Sequence, residues 1–360
     1  MAARLLPLLA FAGLSAGAAA ALACSPAQLN HSLGVTDAEV LVGGRRRRFV
    51  LYVPAYYALG APLPLWLLAP GAFNEPEKQM AMSEMVAYAE QQQFAFAAID
   101  GEANLMNVVL RGQAVPGKPD DVAYTAAVLD AVQRELCVDA RRIFCTGYSR
   151  GARFCSRLAS ELSGRIAAIA TVSGLRFPEP ANATRPVPIL AFHGTRDPVN
   201  PYGGHGNPEY WDDSVPEAVS KWVEFNGCRA EQAYRQSPSV LVTRHTECNE
   251  GADVVFVKID GGGHTWPGSR FPWKGLGNVT YEINASSMMG AFFLEHPLDM
   301  EQVASADGDS LMPALVLMTL IAAVSAAGLA VAFCRGGFRM GSETDSDDSS
   351  TSQSDLEKSS

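Results

Sequence analysis

From residue 48 onward the chain alternates short unbroken apolar runs with stretches in which apolar residues recur every three or four positions. Apolar runs of four to eight residues bounded by turn formers are the pattern of strands buried on both faces, and helical spacing between them is that of helices laid over a parallel sheet. Strands are predicted on this basis at residues 49–53, 65–69, 94–99, 143–146, 168–172, 187–192 and 254–259. Helices are predicted at 121–136, where Val122, Ala126, Leu129 and Val132 share one stripe, and at 152–162, 215–225 and 283–294. The Gly/Pro-rich stretches 112–119, 178–186 and 198–208 read as connecting loops. No internal repeat interrupts the series. The fold class is therefore α/β, with a mostly parallel central sheet covered by helices, and in such folds sites form beyond the C-terminal ends of the strands.

Two apolar stretches stand outside this alternation. Residues 1–23 carry Arg4, then a Leu/Ala-rich run ending in Ala21-Leu22-Ala23, the small-x-small pattern of a cleaved signal peptide, so the mature chain is expected to begin near Cys24. Residues 311–334 hold no charge and are long enough to cross a bilayer as a helix. Arg335 and Arg339 follow that stretch while Asp307 and Asp309 precede it, which by the positive-inside bias predicts a single-pass type I membrane protein with its main domain extracellular or lumenal. The expected organisation is a signal peptide at 1–23, one folded domain at 24–300, a juxtamembrane linker at 301–310, a transmembrane helix at 311–334 and a disordered cytoplasmic tail at 335–360.

Composition narrows the partners. The formal net charge is -10, of which the segment from Arg335 onward carries -3, and the remaining -7 excludes a polyanionic partner such as nucleic acid. The run Arg45 to Arg48 reads as a solvated approach to a strand. Setting aside Cys334 at the expected membrane edge leaves six of the seven cysteines, an even number suited to disulfides in an oxidising compartment. No Cys-x-x-Cys or Cys/His ligand spacing occurs, so no metal site is expected. Asn30, Asn182, Asn278 and Asn284 each open an Asn-x-Ser/Thr sequon and are candidate glycosylation positions.

The strongest chemical signal is Gly147-Tyr148-Ser149-Arg150-Gly151, set between the apolar run 143–146 and the helical stretch 152–162. Strand, sharp turn and helix form the context of a nucleophile elbow, with Gly147 and Gly151 leaving room for a strained serine. A serine hydroxyl needs a histidine to take its proton, and that histidine needs a carboxylate to fix its tautomer. Asp197 sits in His193-Gly194-Thr195-Arg196-Asp197 just past the strand 187–192; its rivals Asp212 and Asp213 lie in a polar loop with no strand before them. His264 follows the strand 254–259 in Gly261-Gly262-Gly263-His264, a tight loop able to deliver an imidazole to the serine. His193, His205, His245 and His296 read as structural or surface histidines, with His193 shaping the acid loop.

Further motifs carry a specific resemblance. Leu136-Cys137-Val138-Asp139 with Arg142-Ile143-Phe144, the elbow, His193 to Asp197, Pro201-Tyr202-Gly203-Gly204, Ser214-Val215-Pro216-Glu217 with Trp222 and Asn226-Gly227-Cys228, and Gly262 to Gly268 succeed one another from about residue 45 to 295. In this order they resemble the polyhydroxybutyrate depolymerase and feruloyl esterase group of α/β-hydrolases. The resemblance implies the α/β-hydrolase fold, a Ser149, His264 and Asp197 triad, and hydrolysis of carboxylic esters through an acyl-enzyme without cofactor or metal. It also implies hydroxycinnamoyl-polysaccharide or hydroxyalkanoate esters as substrates, and a Cys228–Cys248 bridge. Cys24, Cys137, Cys145 and Cys155 remain unassigned, Cys145 and Cys155 being readable as small buried hydrophobes.

The chain departs from the group at two points. Pro70-Gly71-Ala72 replaces the usual His-Gly after the strand 65–69, and Arg150 replaces a small or amide residue. The oxyanion hole is built from backbone N–H groups, so Gly71, Ala72 and Arg150 remain its candidates. Two alternatives stay open on the same scaffold: a catalytically weak or inactive surface binding domain, and an acyltransferase.

Overall fold

Among the described residues the chain forms ten strands: β1 (Gly34–Val42), β2 (Arg45–Val53), β3 (Leu63–Ala69), β4 (Ala95–Ile99), β5 (Val138–Tyr148), β6 (Ala168–Val172), β7 (Ile189–Gly194), β8 (Ala230–Ser237), β9 (Val240–Thr246) and β10 (Val254–Ile259). Six helices accompany them: α1 (Pro76–Ser83), α2 (Met85–Gln92), α3 (Asp121–Glu135), α4 (Arg150–Glu161), α5 (Val215–Asn226) and α6 (Ala285–Glu295). The structure, a computed structural model, describes residues 24–300 apart from residues 26–27, 29–30, 60, 109–118 and 208–210. All of these belong to one unit, Met1–Ala304.

The strands make a single sheet in the order β1-β2-β4-β3-β5-β6-β7-β10-β9-β8. Pairing is parallel from β4 through β10 and antiparallel at both ends. Alternate side chains divide the core into two layers, as the two-residue period of a strand requires. Leu65 and Leu67 of β3 join Leu129 of α3, Phe154 of α4 and Trp222 of α5 on one face. Trp66 and Leu68 join Met82 of α1, Ala89 of α2 and Phe293 of α6 on the other. Sheet order reverses beside β3, with β4 on one side and β5 on the other, so the ends of β3 and β5 open a crevice at the topological switch point.

All seven predicted strands and all four predicted helices occupy their predicted neighbourhoods. Three strands and two helices carry no such signal. In β1 the residues Val35, Asp37, Glu39 and Leu41 are all exposed, because β1 lies at the sheet edge and buries one face only. Its turn into β2 is the pair Gly43-Gly44, both at positive φ, which suits the two-residue hairpin that pairs Val42 with Arg45. Strand β8, Ala-Glu-Gln-Ala-Tyr-Arg-Gln-Ser, is the polar edge at the opposite end. The arginines of β2 lie within the strand and meet carboxylates: Arg45 with Glu102, Arg46 with Glu39, Arg47 with Asp121, and Arg48 with Asp37 and Glu77.

No helix among the described residues is long and apolar enough to cross a membrane. This corrects the expected fold class and the expected type I location: the described residues form an α/β-hydrolase-like fold with no membrane-crossing helix among them. The predicted signal peptide 1–23, the linker 301–310, the segment 311–334 and the tail 335–360 lie outside the described residues.

Candidate active site

β5 ends at Tyr148 and α4 begins at Arg150, leaving Ser149 alone on the turn with φ 55° and ψ -115°. A non-glycine residue in that region is strained and persists only where its surroundings impose it. The two glycines of the elbow show how this happens. A Cβ on Gly147 would lie 2.5 Å from the Gly151 carbonyl carbon, and one on Gly151 would lie 2.1 Å from the Ala69 carbonyl oxygen, so α4 rests directly on the ends of β3 and β5. The Ser149 N–H donates to Val172 O at 2.9 Å, which fixes the turn to β6 as well.

The acid turn follows β7. Asp197 is buried, and its Oδ1 accepts from the N–H groups of Val199 and Asn200 at 2.8 and 2.7 Å. Its Oδ2 faces His264 Nδ1 at 2.7 Å. Burial alone would raise the Asp197 carboxyl, but the hydrogen bonds from His264 and from the Asn200 N–H outweigh it and hold the group below the usual carboxylate range. An ionised Asp197 only accepts, so His264 Nδ1 is the donor in this pair. The histidine loop is anchored by Gly263 N–H to Asn278 O at 2.8 Å, His264 N–H to Leu276 O at 2.6 Å, and the Tyr148 hydroxyl to His264 O at 2.7 Å.

Behind the acid, His193 is fully buried and stacked on Trp211, with Nε2 donating to Asn200 O at 2.9 Å. Burial pushes its pKa down to about 4, against the raising effect of Asp197, so it stays neutral and leaves the aspartate charge to His264. His205 and His245 lie elsewhere, and His296 caps α6.

Ser149 and His264 both line a cleft of about 440 Å³ whose walls include Gly71, Ala72, Phe73, Asn74 and Phe271. The Gly71 N–H is directed at Gln79 Oε1, at 3.4 Å, whereas the Ala72 N–H has no partner among the described residues. Arg150 contributes the first N–H of α4; its side chain turns away, Nε donating to Met106 O at 2.6 Å, and the arginine that reaches the cleft is Arg153, one turn on. Asp212 and Asp213 do not reach His264; Asp213 pairs with Lys221.

No protein-family model matches the chain. Over 261 residues it is 30% identical to "Putative esterase NocK" of Nocardia uniformis subsp. tsuyamanensis, an alignment covering 66% of this chain and 76% of that protein. Over 157 residues it is 31% identical to feruloyl esterase D of Neurospora crassa, covering 42% of this chain and 50% of the relative. The chain belongs to the same family of esterases as the Nocardia protein. It is also 28% identical over 165 residues to feruloyl esterase B of Piromyces equi, covering 43% of this chain and 30% of that one. The esterase thus spans half or less of the feruloyl esterases it matches. A solved acetyl xylan esterase from Aspergillus awamori superposes with a TM-score of 0.47 at 15% identity, covering 64% of this chain and 94% of that one.

Three disulfides brace the esterase. Cys228–Cys248 joins the end of α5 to the end of β9, Cys24–Cys137 ties the N-terminal segment to the start of β5, and Cys145–Cys155 links β5 to α4 on either side of Ser149. Cys145 and Cys155, left unassigned by the sequence, are bonded to each other. Of the sequons, Asn182, Asn278 and Asn284 are exposed, Asn284 also capping α6 through Ser287 N–H; Asn30 lies outside the described residues. Sequence reading missed Phe73, Lys78, Arg153, Phe271 and Lys274 as cleft residues. Only Phe73 offered a hint, a bulky apolar residue directly after the loop Pro70-Gly71-Ala72.

Proposed function

We propose that the folded domain at 24–300 hydrolyses carboxylic esters with Ser149 as nucleophile, His264 as general base and Asp197 as the acid that orients it. The observation carrying this reading is the 2.7 Å pair between His264 Nδ1 and Asp197 Oδ2, on a histidine that shares its cleft with the strained Ser149. Ser149 Oγ adds to the ester carbonyl carbon while its proton passes to His264 Nε2. The carbonyl oxygen gathers the charge and is met by the backbone N–H groups of Ala72 and Arg150. Collapse breaks the bond to the alcohol oxygen, which takes the proton from His264. A water then repeats the sequence on the acyl-serine and releases the acid.

The acyl group is proposed to be of hydroxycinnamoyl type. Phe73 is 75% exposed at the cleft mouth with φ 60°, a conformation rare for a bulky residue, and Phe271 lines the same cleft. An exposed and a half-buried aromatic ring on the cleft walls favour a planar aromatic acyl group over an aliphatic hydroxyalkanoate. The feruloyl esterase names of the relatives point the same way. Three disulfides suit an oxidising compartment. The test is hydrolysis of methyl ferulate, p-nitrophenyl acetate and hydroxybutyrate oligomers by the wild type and by Ser149→Ala. Methyl ferulate is expected to be the best of the three and the variant inactive on all; retained activity in the variant would overturn the assignment.

A further inference from the structure

The cleft carries a charge opposite to that of the protein. The chain has a net charge of -10, yet Lys78, Arg153 and Lys274 line the cleft and no aspartate or glutamate does. The larger groove beside β2, about 760 Å³, shows the reverse, with Glu77, Glu84 and Glu90 on its walls and no cation. The described residues contain four lysines. Lys221 and Lys258 are paired with carboxylates, Lys221 with Glu179 and Asp213, Lys258 with Asp260. Lys78 and Lys274 are in no ion pair among the described residues, and both line the Ser149 cleft. Glu77, which precedes Lys78 on α1, is bound to Arg48. Asp197 is engaged by His264.

The geometry points to an ester substrate that bears a carboxylate of its own, recognised at the cleft mouth by Lys78 and Lys274. This rests on the hydrolase reading above and names the substrate class of that same site. For a neutral ester two unpaired lysines add nothing to substrate binding, and they retain the carboxylate product. For an ester with an anionic substituent they attract the substrate before and during reaction, the gain lying in kcat/KM and falling with ionic strength. Lys78 stands on α1 and Lys274 in the loop after His264, so the two approach the cleft from separate elements and leave the aromatic walls free for the acyl ring.

The carboxylate could sit on either half of the ester, and matched pairs separate the two sources. Pentyl ferulate against 4-carboxybutyl ferulate tests the alcohol half; p-nitrophenyl hexanoate against mono-p-nitrophenyl adipate tests the acyl half. In the wild type, kcat/KM for the charged member of at least one pair is expected to exceed its neutral partner and to lose that advantage as salt rises above about 0.1 M, where the screening length is about 10 Å. The Lys78→Ala/Lys274→Ala variant is expected to lower the charged-to-neutral ratio about fivefold, the scale of two partly solvated charge contacts, with Lys78→Arg/Lys274→Arg restoring it. A ratio near one and independent of salt in both pairs would overturn the proposal. So would an equal fall on charged and neutral esters in the alanine variant, which would place the lysines on the oxyanion instead. Failure of the hydrolase reading looks different, since it would appear as neutral-ester hydrolysis that is absent or survives Ser149→Ala.

Discussion

The Tyr148 hydroxyl donates to the backbone carbonyl of His264 at 2.7 Å, so the residue before the proposed nucleophile holds the loop that carries the proposed base. Tyr148 is buried against Gly71, whose added Cβ would sit 2.9 Å from its ring, and burial with the Asp197 charge raises its phenol well above the usual range. It therefore acts as a fixed neutral donor at any pH the protein experiences. Tyr148→Phe is expected to cost about 1 kcal/mol of stability, since a buried carbonyl loses its donor. It should also lower kcat about tenfold with a smaller change in KM, because the imidazole is less firmly placed. Denaturant melts with steady-state kinetics check both, and an unchanged kcat would show that the bonds to Leu276 and Asn278 suffice.

Two neighbouring substitutions in the elbow should separate chemistry from fold. Ser149→Ala removes one oxygen and is expected to leave the melting curve near that of wild type while turnover falls by several orders of magnitude. Gly151→Ala drives a methyl group into the Ala69 backbone, which has no rotamer to yield, and should cost several kcal/mol. Circular dichroism melts of the two, beside their rates on methyl ferulate, distinguish the cases.

Acid should destabilise the domain through His193. In the unfolded chain this imidazole takes up a proton near pH 6.5, in the fold only near 4, so the unfolded state binds more protons between those values. Stability contributed by the neutral ring is complete above pH 6.5 and is lost as pH falls towards 4, by up to about 3 kcal/mol. His193→Gln, which keeps a donor for the Asn200 carbonyl but cannot titrate, should flatten the unfolding free energy across that window. A slope equal to wild type would assign the acid sensitivity elsewhere.

The disulfides should differ in their contribution. Cys24–Cys137 closes a loop of sequence separation 113 and Cys145–Cys155 one of 10. Chain entropy then predicts losses of about 5 and about 3 kcal/mol on replacing each pair by serine. The second pair is expected also to lower kcat, since it joins β5 and α4 across Ser149. Peptide mapping without reductant, finding Cys145 and Cys155 as free thiols, would contradict the assignment.

The sequence by itself determined the central strands and the separate loops that carry Ser149, Asp197 and His264. Strands such as Ala168–Val172 are buried on both faces and must be apolar throughout, and an elbow leaves its mark as glycines at fixed offsets because no Cβ fits there. These are local constraints, written one residue at a time. Strands β1 and β8 escaped because an edge strand need satisfy only one face, and its polar residues then resemble a loop. Only the tertiary structure decided how Cys24, Cys137, Cys145 and Cys155 pair, that the Gly71 N–H is taken by Gln79 while that of Ala72 is not, and that Arg150 turns away while Arg153 enters the cleft. It likewise decided that Lys78 and Lys274, distant in sequence and unremarkable in it, share one wall-lined space with Ser149. Such relations depend on how separate elements cross at the end of the sheet, and a surface lysine carries no packing constraint that would record its neighbours in the chain.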